Sequence, residues 1–123
     1  QRPEEVEALL EKLTVLTIDY LKAQIEAGAE AVQLFDTWAG LLDPAAYAKW
    51  VHPYHQRIAK ALADEPAPLI LYVQNGSHVV DLIATSGADV ISLDWRVRLE
   101  DVAKQYGSGV SLQGNLDPLS LLK

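Results

Sequence analysis

The chain has 123 residues and a formal net charge of −7; half its residues are hydrophobic, 22% are charged, and Cys and Met are absent. That length buries a core, and the composition is that of a globular chain. The lack of Cys excludes disulfides, thiolate zinc sites and a cysteine nucleophile within these residues. The few basic residues are scattered, so no basic face is offered to nucleic acid. No run of about 18 apolar residues suggests a membrane span, and Gln1-Arg2-Pro3 shows no secretory pattern. A cytoplasmic protein is expected. Because the chain starts at Gln1 and stops just after a segment, Asp117 to Leu122, that reads as a helix beginning, residues 1–123 are expected to form a single partial domain of something larger.

Pro3, Glu4 and Glu5 mark a helix start, with acids near the positive end of the dipole. Val6, Leu9, Leu10, Leu13, Leu16, Leu21 and Ile25 continue it as an apolar stripe, and Gly28 stands where a helix C-cap belongs. Ala31 to Phe35 is short, apolar and rich in strand formers, so a buried strand is predicted. Asp43-Pro44 pairs an N-cap with proline at the first helical position. That helix should run to about Leu62 with a break near Pro53. Leu69 to Val73 is a second strand, His78 to Thr85 a short helix closed by Gly87, and Val90 to Leu93 a third strand. Leu99 to Gln105 is helical, Gly107 follows it, and Val110 to Leu112 is a fourth strand.

Helix and strand alternate four times, which implies an α/β fold with parallel strands covered by helices. A dinucleotide-binding sheet would carry a glycine fingerprint after a strand. Here Gly107 and Gly109 precede one. The expected architecture is therefore part of a (β/α)8 TIM barrel. Each strand ends in a polar cluster: Asp36-Thr37-Trp38, Gln74-Asn75-Gly76-Ser77, Asp94-Trp95-Arg96, and Gln113-Gly114-Asn115 with Asp117-Pro118. In a parallel barrel these ends share one face, where barrel active sites form.

Each cluster also has a plain structural reading. Ser77 or Asp117 would cap the helix that follows. Asp36 and Asp94 would be ligands for a hard cation, although two acids on adjacent strands define no coordination sphere, and no metal is expected. Trp38 and Trp95 would line an aromatic pocket or fill the barrel mouth. His52 and His55 flank Pro53 and read as partly exposed structural residues, His78 sits on the functional face, and Leu119 to Leu122 read as ordinary packing.

Three segments carry a resemblance. Tyr20 to Gly40, with Glu26-Ala27-Gly28-Ala29-Glu30-Ala31-Val32-Gln33-Leu34-Phe35-Asp36-Thr37-Trp38-Ala39-Gly40, is similar to the uroporphyrinogen decarboxylase family. So are Gly87-Ala88-Asp89-Val90 through Leu93-Asp94-Trp95, and Leu112-Gln113-Gly114-Asn115-Leu116-Asp117-Pro118, in the same order and spanning most of the chain. The resemblance implies a cytoplasmic, homodimeric barrel working without metal or organic cofactor. Its substrate is uroporphyrinogen, whose four acetate carboxylates it removes to give coproporphyrinogen in tetrapyrrole (haem) synthesis. Thr37 matches a hydroxyl that contacts substrate carboxylate or pyrrole, and Phe35 matches a residue near the macrocycle pocket. The family's acid and main arginines lie earlier in the barrel and a histidine later. The catalytic residues are thus expected outside this chain, and it should be inactive alone. Two departures fall at the rim: Gln74 to His78 replaces a basic or glycine-rich turn, and Arg96 replaces a small residue. They leave a paralogue open. A corrinoid-type methyltransferase of the same fold would need a His and Cys zinc site, and Cys is absent. Four strands of an unclosed barrel would also expose sheet edges and an apolar inner face, so self-association, or a non-catalytic assembly module, is a third reading.

Overall fold

Residues 2–122 are described in a computed structural model. The first helix, α1 (Pro3–Glu26), begins at proline with Glu4 and Glu5 in its first turn. It ends because Gly28 takes φ +104°, a left-handed turn that costs glycine little. There the Ala29 amide reaches back to the Gln24 carbonyl (3.0 Å) and the Gly28 amide to Ile25 (2.9 Å), capping carbonyls that would otherwise be orphaned. Thr14, Leu21 and Ile25 form the buried side of α1. On its exposed side, Glu11 makes a two-pronged contact with Arg57, with one nitrogen–oxygen distance of 2.8 Å.

Four short strands follow, β1 (Val32–Asp36), β2 (Leu69–Val73), β3 (Val90–Ser92) and β4 (Ser111–Gln113). They pair in chain order, every pair parallel. Between β1 and β2 the expected kinked helix is two helices, α2 (Pro44–Trp50) and α3 (His52–Leu62), parted at Val51. The Asp43 carboxylate caps α2 by accepting from the Ala46 amide at 2.9 Å. The helix expected over 78–85 is a 3-10 turn (Gly76–Val79) running into the single turn of α4 (Val80–Ala84). α5 (Leu99–Tyr106) joins β3 to β4, and a 3-10 turn (Pro118–Leu122) ends the described chain.

Strand side chains alternate between two faces. Val32, Leu69, Leu71, Val73 and Ile91 point to the helix layer and form the core with Leu21, Ile58, Leu62 and Ile83. The opposite face carries an in-register row, Phe35 beside Tyr72, Tyr72 beside Ser92, and Ser92 beside Gln113. No helix covers it among the described residues, and Phe35 is 64% exposed. β1 and β4 are the two edges of this sheet. The open edges and uncovered inner face expected of an unclosed barrel are therefore present, but that face is not apolar throughout: Ser92, Ser111 and Gln113 make it polar along β3 and β4. Leu119, Leu121 and Leu122, read from sequence as ordinary packing, are instead exposed, because nothing among the described residues packs on the last turn.

Candidate functional site

Because the strands are parallel, their C-terminal ends meet at one edge of the sheet, and all four polar clusters lie there. The site's inner wall is the Phe35–Tyr72–Ser92–Gln113 row. The Phe35 and Tyr72 rings stand edge to face, 5.9 Å apart at 74°, an arrangement favoured by aromatic quadrupoles. Next to them, the Gln113 amide donates to the Ser92 hydroxyl at 3.2 Å. The wall is thus apolar on the β1–β2 side and polar on the β3–β4 side.

Above the wall the rim is tied by hydrogen bonds to Asp94. Its carboxylate is buried and accepts from the Asn75 amide (2.9 Å) and the Arg96 amide (2.9 Å), with the Arg96 guanidinium at 3.3 Å. Asn75 holds φ +60°, a conformation asparagine tolerates better than most side chains. Asn115 clamps the same loop from β4, donating to the Asp94 carbonyl (2.9 Å) and the Val97 carbonyl (2.7 Å). Arg96 also lies over the Trp95 ring, 4.2 Å from its centre. His78 donates from Nε2 to the Leu42 carbonyl at 2.8 Å, joining the β2 loop to the β1 loop.

The β1 exit is built differently. Asp36 turns to the helix layer, where its Oδ2 lies 3.1 Å from His55 Nε2. His55 Nδ1 lies 3.2 Å from the Tyr47 hydroxyl. A carboxylate only accepts, so in the neutral ring Nε2–H donates to Asp36 and the Tyr47 hydroxyl donates to Nδ1. The other Asp36 oxygen accepts from the Ala39 amide at 3.0 Å, at the start of a 3-10 turn (Ala39–Leu41). Burial pushes the Asp36 carboxyl up. Its hydrogen bond to His55, the His55 charge and the Ala39 and Trp38 amides outweigh that and hold it below the ordinary range. Burial, with Asp36 nearby, raises the Tyr47 hydroxyl far above its usual value. Gly40 lets this turn press on the β2 loop: a Cβ there would overlap the Gln74 carbonyl oxygen.

Several sequence expectations change here. His55 is 5% exposed, not partly exposed, because it lies on the buried stripe of α3 with Ile58, Ala59 and Leu62. Asp36 and Asp94 do not converge: one is engaged by His55, the other by the Asn75 and Arg96 loops, so they form no shared cation site. Among the described residues no cluster of three metal-ligating side chains occurs. Trp38 and Trp95 are exposed at the mouth rather than packed in it. Ser77 lies inside the 3-10 turn and caps nothing, whereas Asp117 accepts from the Leu119 amide at 2.9 Å as expected. Phe35 lies on the inner wall, and Thr37 is exposed just beyond it, at the top of β1. The Tyr47–His55–Asp36 chain was missed. The spacing of His55 to Ile58, Ala59 and Leu62 was the available signal, since a histidine on a core stripe needs a polar partner.

Four consecutive helix–strand units with parallel strands, one sheet face left open among the described residues and polar loops gathered at the strands' C-terminal edge, make up part of a parallel β/α barrel. The family model described as uroporphyrinogen decarboxylase (URO-D) matches residues 1–123, and the chain belongs to that family. Among similar proteins, a uroporphyrinogen decarboxylase of Syntrophotalea carbinolica is 45% identical over 122 residues, covering 99% of this chain and 36% of the relative. Those of Desulfotalea psychrophila and Coxiella burnetii are each 44% identical, covering 98% and 99% of this chain and 35% of the relative. The chain therefore spans about a third of the length of these relatives. No helix among the described residues is long and apolar enough to cross a membrane.

Proposed function

We propose that residues 1–123 are a partial domain of a barrel enzyme that decarboxylates uroporphyrinogen. The whole enzyme would remove the four acetate carboxylates to leave coproporphyrinogen, in the cytoplasm and without metal or organic cofactor. The observation that carries this reading is the inner wall. An edge-to-face aromatic pair, Phe35 and Tyr72, lies near the end of β1, and the exposed Thr37 follows just past it, in a chain that matches the family along its whole length. A macrocycle bearing many carboxylates needs an apolar slot with a few placed donors. Phe35 offers its ring to the tetrapyrrole, and Thr37 donates its hydroxyl to a substrate carboxylate or accepts from a pyrrole.

Decarboxylation leaves negative charge on the carbon that loses carbon dioxide, and that charge needs fixed dipoles or a proton nearby. In this reading the acid and arginines that supply them come from barrel segments other than these residues. The chain alone is then inactive, and its open inner face and free edges favour association with itself or within a homodimer. A nucleic-acid partner is not part of this reading.

The test is to incubate the complete protein that carries this segment with uroporphyrinogen without oxygen, oxidise, and separate the products. Stepwise loss of carboxylates to the four-carboxylate product is the expected result. No conversion by a folded protein, beside an active control enzyme, would refute it and direct attention to the unusual Gln74 to His78 turn and Arg96.

A further inference from the structure

We infer that His55 is a positioning residue that holds the β1 exit, and Thr37 with it, through the buried chain Tyr47–His55–Asp36. Asp36 lies between Phe35 and Thr37 in sequence, but its side chain faces the helix layer while Phe35 faces the inner wall. Strand alternation thus puts the anchor on one side of the backbone and the candidate substrate contact on the other. One Asp36 oxygen is held by His55 and the other holds the Ala39 amide, so the carboxylate fixes both ends of the Asp36–Ala39 turn that carries Thr37. His55 is in turn fixed by Tyr47, which is fully buried and stands edge to face with the imidazole at 6.0 Å. The chain connects α2, α3 and β1, so α3 sets where the Thr37 loop sits. A packing histidine needs no partner at each nitrogen; this one has both, and its acceptor is the one side chain whose other oxygen defines the loop. This inference rests on the substrate role proposed for Thr37.

The experiment uses the complete enzyme and three changes: His55→Leu, which removes both hydrogen bonds; His55→Gln, whose amide reproduces a donor and an acceptor; and Thr37→Ala. A misplacement of about 1 Å costs up to roughly a hundredfold in rate. His55→Leu is expected to lower kcat/KM by about ten- to a hundredfold, and His55→Gln to restore most of it. Made on top of Thr37→Ala, His55→Leu should cost less than about threefold more, because it acts through the residue already removed. Independent multiplication of the two effects, or unchanged kcat/KM in a folded His55→Leu enzyme, would overturn the inference. Tyr47→Phe serves if His55→Leu does not fold: it removes only the hydroxyl, and the same loss of additivity with Thr37→Ala is expected. Hydrogen exchange at the Ala39 amide separates this inference from the assignment of activity. Faster exchange in His55→Leu or Tyr47→Phe supports the anchor even in a protein that leaves uroporphyrinogen untouched, and unchanged exchange refutes it.

Discussion

Replacing Asp36 by alanine or by asparagine separates the two jobs its carboxylate performs. Asp36→Ala removes the acceptor from two buried donors, His55 Nε2–H and the Ala39 amide. A buried donor left without a partner costs about 1–3 kcal/mol. The Asp36 side chain is 29% exposed, so water reaches part of the vacated space. A loss of about 2–4 kcal/mol is therefore expected for the pair. Asp36→Asn behaves differently. Its carbonyl oxygen keeps the Ala39 amide, but its NH2 would face the His55 Nε2–H, donor against donor. The conflict is relieved if the ring proton moves to Nδ1: Nε2 then accepts from the asparagine amide, and Nδ1–H donates to the Tyr47 oxygen, which has free lone pairs. His55 keeps a partner at each nitrogen, but the buried Tyr47 O–H, which had donated to Nδ1, is left without an acceptor, so a loss of about 1–3 kcal/mol is expected. Urea denaturation would give the two losses, and nitrogen chemical shifts of the His55 ring would report the tautomer. A switch from Nε2–H to Nδ1–H in Asp36→Asn is predicted. An unchanged tautomer in Asp36→Asn would refute the reasoning.

Gly40→Ala should destabilise by about 1–3 kcal/mol, read as a lower urea midpoint at constant slope, because the added Cβ meets the Gln74 and Asn75 backbone, which cannot swing aside. Stability should also fall in acid in two stages. Burial and the nearby His55 charge hold the His52 ring below its usual value, against the opposing pull of Asp81 and the Leu82 carbonyl. The unfolded chain therefore takes up that proton first, and stability declines as pH drops below about 6.5. Asp36, also held low, contributes stability that is complete above the ordinary carboxylate range, about pH 4, and is lost as pH falls through its depressed folded value. His52→Gln should abolish the upper stage alone, as followed by thermal melts from about pH 2 to 8.

The elements legible in the sequence were those whose signals are local. Asp43-Pro44 marks the start of α2 because capping needs only neighbouring atoms, and β2 is bounded by Pro66, Pro68 and the polar Gln74-Asn75 turn. The strand order follows from alternation, so the gathering of the polar clusters at one edge was also predictable. What was illegible depended on long-range partners. Nothing in the spacing of Asp36 and His55 shows that they meet across 19 residues, and the carboxylate beside Thr37 looked like a free ligand until its partner was seen. Likewise the exposure of Leu119, Leu121 and Leu122 depends on what packs against the last turn, which periodicity does not encode. The Asn115 clamp on the Asp94 loop joins two strands through carbonyl groups that have no sequence signature.

The most direct measurement of the central claim compares two alanine variants of the complete protein in uroporphyrinogen decarboxylation. Thr37 lies at the C-terminal end of β1, whereas Ser108 is an exposed residue in the loop leading into β4, at the other end of the sheet. If the strand-end rim binds the substrate, Thr37→Ala loses a hydrogen bond to a charged group and kcat/KM falls about ten- to a hundredfold. Ser108→Ala should stay within about twofold of the parent, the change expected of a surface substitution. Unchanged kinetics in a folded Thr37→Ala protein, or an equal loss in Ser108→Ala, would contradict the account.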